Sequence, residues 1–277
     1  MSASTEGKKR LFAGYESEQE DDLADKLVDL GDGFWTVRGE FRIGLLEIGT
    51  QCSLVRLPEG NFVFLDSYTL DDGVRAQIDG IVGDAKVAAI LNLHPFHTIH
   101  CEWMHEAYPE AELFGTARHV DKFPALPWQE LRCEDDAMNE RFGPDLTFSV
   151  PRGVPLVSED ESVHFSSVLA LHRPSGTIHV DDTFVYLDKG FPLSLLPMIK
   201  RLSFHPTLAK ALEPRAGAAD EFREWAIDLG IDWADAQRIA AAHNAIFEFG
   251  EKRFPDYVGE ALGRVASVLD CHRAEHG

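Results

Sequence analysis

The stretch Ala88–Trp103, A-A-I-L-N-L-H-P-F-H-T-I-H-C-E-W, decides the reading of this chain. The apolar residues Val87 to Leu91 have the length of a buried strand, and Pro95 marks a turn just beyond them. That turn carries His94, His97 and His100. A strand end fixes imidazoles that a free loop would let wander, so the stretch predicts a metal site.

Upstream, N-F-V-F-L-D-S-Y reads as a strand ending in Asp66, and D-D-G-V-R-A-Q-I-D-G-I-V-G as a helix with Val74, Ile78 and Ile81 on one face. From Gly33 the runs F-W-T-V-R-G, F-R-I-G-L-L-E-I-G and Q-C-S-L-V-R-L, with a turn at Pro58–Asn61, read as antiparallel strands. Downstream, C-E-W-M-H-E-A-Y reads as a short helix stopped by Pro109, and A-E-L-F-G as another strand. Pro124–Pro155 reads as a connecting region with some strand. S-V-H-F-S-S-V-L-A-L-H-R-P and T-I-H-V-D-D-T-F-V-Y-L are strand-like, and the second carries Asp181 and Asp182. The last third reads as helical, including W-A-D-A-Q-R-I-A-A-A-H-N-A-I-F and a final amphipathic helix from Tyr257 to Leu269. Residues 1–30 form an acidic, loose segment, and residues 31–277 are expected to make one domain.

With 44% hydrophobic and 26% charged residues the chain has the composition of a globular protein, but its net charge of −21 excludes the usual nucleic-acid or anionic-membrane binder. A small-molecule substrate, unidentified, and a homo-oligomer are compatible partners. Cys52, Cys101, Cys133 and Cys271 are scattered without a C-x-x-C, and no apolar run is long enough to span a bilayer. The expectation is a cytoplasmic protein, with Cys101 a buried structural thiol.

The polar residues at predicted strand ends are Asp66, Asn92, His94, His97, His164 and Asp182, with His243 late in the chain. Imidazoles and a carboxylate from scattered positions are a donor set for Zn²⁺ or Fe²⁺. Their order resembles that of the metallo-β-lactamase superfamily, over roughly residues 33–250. The early Asp is matched by Asp66, the H-x-H-x-D-H turn by Asn92-Leu93-His94-Pro95-Phe96-His97, the isolated His by His164, the later carboxylate by Asp182 and the late His by His243. N-L-H-P-F-H and L-H-R-P-S-G-T-I-H-V-D-D are also similar to a plant and bacterial branch of unknown function in that superfamily. The resemblance implies an αββα sandwich with a metal centre at the sheet edge.

Two positions depart from that pattern. Asn92 stands where the first imidazole is expected and Phe96 where the carboxylate is expected, which reduces a two-metal site to one ion or none. Three readings remain: one ion on some of His94, His97, His164, Asp182 and His243; a shifted register in which His97 and His100 ligate; or a fold that has lost metal and serves in binding or structure. Asp66 is read as a hydrogen-bonding residue, Asp181 as a substitute for Asp182 if the strand alternates differently, and His179 as a support for the site. His105, His119, His172, His272 and His276 are read as surface or hydrogen-bonded core residues. The expected activity is metal-dependent hydrolysis, with Asp182 taking part in catalysis.

Overall fold

The computed structural model describes residues 26–39, 42–43, 46–47, 49–160, 162–186, 201–242 and 245–277. Of the segment 1–30 read as loose, residues 1–25 lie outside these residues, as does His243, while Lys26–Asp29 form a strand paired with Trp35–Arg38.

Two sheets carry the fold. In the first, β1 (Lys26–Asp29), β2 (Phe34–Gly39), β5 (Thr50–Arg56), β6 (Phe62–Leu65), β7 (Val87–Asn92) and β8 (Glu112–Gly115) lie side by side in that order. The small hairpin β3 (Arg42–Ile43) and β4 (Leu46–Glu47) falls between β2 and β5 in the chain. Pairing is antiparallel from β1 to β6 and parallel from β6 to β8. The parallel steps need crossovers, and helices supply them: α1 (Asp72–Val82) between β6 and β7, and α2 (Cys101–Ala107) between β7 and β8. Asp71 starts α1 by accepting a 2.7 Å hydrogen bond from Val74 N.

Next come α3 (Ala117–Lys122) and α4 (Ala137–Phe142), then β9 (Leu146–Ser149), β10 (Leu169–His172), β11 (Thr177–Val180), β12 (Phe184–Val185) and β13 (Ser203–Phe204). Helices α5 (Leu208–Ala211) and α6 (Ala218–Asp232) precede β14 (Arg238–Ala241) and β15 (Ala245–Glu248), and α7 (Phe254–His276) closes the chain. The second sheet has the order β15-β14-β11-β10-β9, antiparallel except for the β11–β14 pair.

Alternation along the strands builds the layers. Phe34, Val55, Leu65, Ala89 and Leu91 of the first sheet meet Phe148, Val168, Ala170 and Ala240 from the second-sheet half. The opposite face of the first sheet, with Leu54, Phe64 and Ile90, packs on Val74 and Ile78 of α1 and Met104 of α2. The outer face of the second sheet, with Leu171, Ile178 and Val180, packs on Phe222 and Leu229 of α6 and Val258 and Leu262 of α7. Four layers, αββα, result from this two-period pattern.

One expectation is corrected here. The alanine-rich run around residues 238–248 is a pair of strands rather than a helix. Ala has high helix propensity, but Ile239, Ala240 and Ala241 are fully buried where β14 pairs parallel with β11, and small side chains suit that crowded position. The region 124–155 contains α4 as well as the strand β9.

Candidate metal centre

Asp66 sits just past β6 with φ +62°, a left-handed conformation that Asp tolerates better than most residues. It is fully buried, and both carboxylate oxygens are engaged. Oδ1 accepts hydrogen bonds from Leu93 N at 2.7 Å and His94 N at 3.3 Å, while Oδ2 lies 3.0 Å from His179 Nε2. His179 Nδ1 in turn is 3.0 Å from Ser53 Oγ. This chain of side chains fixes the histidine turn to β6 and ties the first sheet to the second. Burial alone would raise the Asp66 carboxyl, but the hydrogen bond and charge of His179 outweigh it and hold the group below the usual carboxylate range.

Beyond the turn, one ligand atom from each of His94, His97 and Asp182 lies within 4.8 Å of the others. A second group, Asp66, His97 and Asp181, meets the same limit and shares His97 with the first. His94 Nε2 is 3.1 Å from Asp182 Oδ2, and both side chains are buried. The nitrogen nevertheless makes no hydrogen bond, so the pair is close but misaligned for one. A buried imidazole nitrogen and a carboxylate oxygen facing one another without a bond between them fit a shared cation, with two nitrogens and one oxygen as donors. An ion on Nε2 would leave the ring proton on Nδ1, and the 3.2 Å bond that Nδ1 accepts from Phe96 N would have to open. The second group fits less well, because Asp66 already spends its oxygens on the turn and on His179.

The two unexpected residues have definite tasks. Asn92 is fully buried and points away from the centre. Its Oδ1 accepts from Ser67 Oγ at 2.6 Å and Cys101 Sγ at 3.3 Å, and its Nδ2 donates to Phe114 O at 2.9 Å. It is a strand-end brace. Phe96 stacks on His164 with ring centroids 4.3 Å apart and 13° between planes, and Arg118 lies 4.5 Å from the centre of the Phe96 ring. Arg118 and Lys122 of α3, with Asp121 and Val157, line a cavity of about 690 Å³ beside this stack.

The other sequence candidates fall as follows. His164 is half-buried against Phe96, 6.2 Å from the His94 ring, and is in neither group. Asp181 and Asp182 are both buried, with Asp181 in the second group and Asp182 in the first. His100 offers its Nδ1 to Thr69 N and Thr69 Oγ1 and packs against Tyr68 with the rings tilted by 58°. Cys101 is buried, and burial followed by the charge of Asp66 pushes its thiol up to about 12, which keeps it a thiol. His119 is a buried capping residue: Nδ1 accepts from Thr116 N at 3.2 Å, and Nε2 donates to His97 O at 3.4 Å.

Burial holds the His119 imidazole down to about 4. A histidine kept neutral in the folded state contributes fully above its ordinary value of about 6.5, and that contribution fades as pH falls towards 4, by roughly 3 kcal/mol in all. Gln at this position keeps the cap and removes the titration. Wild type is therefore expected to lose stability between pH 6.5 and 4.5 more steeply than His119→Gln, and parallel melting curves across that range would contradict the assignment.

Three polar residues were not singled out in the sequence: Arg38, Gln51 and Ser53. Gln51 and Ser53 share the inward face of β5 with Val55, and Gln51 Nε2 donates to Val180 O and Ala240 O at 3.0 Å each. Their signal was visible as polar residues on the core-facing positions of Q-C-S-L-V.

Comparison with solved structures bears on the fold. The metallo-β-lactamase FIM-1 of Pseudomonas aeruginosa, in its mono-zinc form, superposes at TM-score 0.55 with 10% identity, covering 88% of this chain and 97% of that one. The enzyme of Erythrobacter litoralis gives 0.55 with 12% identity, over 90% and 96% of the two chains. That of Hirschia baltica gives 0.53 with 15% identity, over 89% and 98%. No family model and no curated protein sequence matches the chain. The chain has the metallo-β-lactamase fold, in a form far diverged in sequence. Among the described residues no helix is long and apolar enough to cross a membrane.

Proposed function

We propose that this protein is a metal-dependent hydrolase with a single-ion centre formed by His94, His97 and Asp182. The supporting observation is the buried His94 Nε2, which faces Asp182 Oδ2 at 3.1 Å without a hydrogen bond. Zn²⁺ or Fe²⁺ suits such a donor set, and when bound it would supply Lewis acidity and bring a water's pKa towards about 7. His243, outside the described residues, is a further candidate ligand, and His164 could join only by leaving its stack on Phe96.

The chain's own residues supply the rest. Asp66 and His179 hold the histidine turn in place. Asp182 is the carboxylate left to accept a proton at this centre, since Asp66 is engaged in structure and burial, with the charges of Asp66 and Asp182, pushes the Asp181 carboxyl well above the usual range. The cavity lined by Arg118 and Lys122 gives a small substrate room next to the Phe96–His164 stack. An ester, thioester, amide or phosphoester is within reach of this chemistry.

The competing reading is a binding or structural protein that has lost metal, and the stacking of His164 on Phe96 favours it. Elemental analysis of protein purified without chelator separates the two. About one equivalent of transition metal is expected, falling to background in His94→Ala and Asp182→Asn. Metal-free wild type that shows no stabilisation on adding Zn²⁺ would overturn the hydrolase reading.

A further inference from the structure

The last turns of α7 carry a second pair of imidazoles. His272 and His276 stand one helical turn apart on the same face, and their ring centres are 4.5 Å from one another. With Cys271 and Glu275 they line a cavity of about 550 Å³, whose opposite wall includes Lys210 of α5 and Leu212. The helix end that presents them is held firmly. Gly217 N donates to Gly277 O at 2.9 Å, and Arg273 forms an ion pair with Asp220 of α6.

His272 is buried, and its tautomer is fixed by its neighbour. Nε2 donates to Glu213 O at 2.8 Å. A carbonyl can only accept, so the ring proton sits on Nε2 and Nδ1 carries a lone pair. That nitrogen is buried and makes no hydrogen bond, which leaves an acceptor in the interior without a donor. The half-buried ring of His276 lies against the same imidazole.

We propose that His272 and His276 chelate a divalent transition ion at a second site, apart from the histidine turn, and that the ion is of the square-planar or octahedral kind, Ni²⁺ or Cu²⁺. An ion about 2.0 Å from a nitrogen of each ring lies about 3.1 Å from each ring centre, so centres 4.5 Å apart subtend about 90° at the ion. Neighbouring ligands of those ions meet at that angle, whereas tetrahedral Zn²⁺ needs ring centres about 5 Å apart. The ion supplies the partner that Nδ1 lacks. It also sits at the negative end of the α7 dipole, and Glu275 offsets the charge of Lys210 in the same cavity. Cys271 and Glu275 complete no three-donor group with the pair among the described residues, so water fills the remaining positions. Nothing in this site depends on the centre of His94, His97 and Asp182.

The test titrates Ni²⁺ by calorimetry into the untagged full chain after chelator treatment. His276→Ala is expected to bind one equivalent fewer than wild type, because a single imidazole cannot chelate, and it leaves the bond from His272 to Glu213 in place. His276→Gln keeps the bulk of the side chain and gives the same reading should His276→Ala fail to fold. His94→Ala is expected to keep that equivalent whether or not the histidine turn takes metal, and Cys271→Ser to keep it because the thiol is no ligand. Equal stoichiometry and affinity in wild type and the His276 variants would overturn the proposal. So would wild type that takes no Ni²⁺, or loss of the equivalent in Cys271→Ser.

Discussion

Asp66→Ala is expected to lose roughly 4 to 5 kcal/mol of stability, a fall in Tm of about 10 to 15 °C for a chain of this size. The substitution strips two buried backbone N–H groups, Leu93 and His94, of their acceptor and leaves His179 without its carboxylate. Each orphaned donor costs about 1 to 3 kcal/mol, and an uncompensated buried partner adds to that. Alanine at φ +62° brings a further backbone penalty of roughly 1 kcal/mol. Asp66→Asn tolerates the left-handed backbone and keeps an acceptor for the turn, so its loss should be about half as large. The comparison is made by thermal melts in chelator, which excludes any effect through bound metal. An Asp66→Ala protein within 1 kcal/mol of wild type would show that the turn is held by something else.

The second large effect concerns the residue that breaks the expected turn motif. Asn92→His restores an imidazole to a position where the superfamily resemblance implies a ligand, yet no gain in bound metal is expected. Asn92 is sealed under Ser67, Cys101 and Phe114, so a larger ring there overpacks the strand end and leaves Phe114 O without its donor. A loss of roughly 3 kcal/mol should follow. Elemental analysis and melting on the same sample decide the matter: a second equivalent of metal at undiminished stability would mean that residue 92 can turn into the site.

Much of this was legible in the sequence because it rested on local pattern. The apolar run before His94, the strand ending at Asp66 and the helix with Val74 and Ile78 inward all follow from periods of two and 3.6 residues. The layered αββα fold came from the order of landmarks, which survives when identity has fallen to the level seen with the solved structures. What was not legible depends on pairing across the molecule. Arg238–Ala241 looks helical until β11 is laid beside it. Ser53 and Gln51 look like ordinary strand residues until the opposite sheet presents His179, Val180 and Ala240 to them. Likewise Asn92 and Phe96 read as losses in the sequence, whereas in the fold one is a brace and the other a stacking platform for His164 and Arg118.

The bond between Asp66 and His179 joins residues 113 apart in the chain, and that between Ser53 and His179 joins residues 126 apart. Contacts so distant in sequence pay their loop-closure entropy early and return it late, which slows folding. The histidines come from the first half of the chain and Asp182 from the second, so neither half alone can assemble the centre. The site is then among the last parts to mature. Ser53→Ala should mainly speed unfolding and leave the folding rate nearly unchanged, the signature of a contact made after the barrier is crossed.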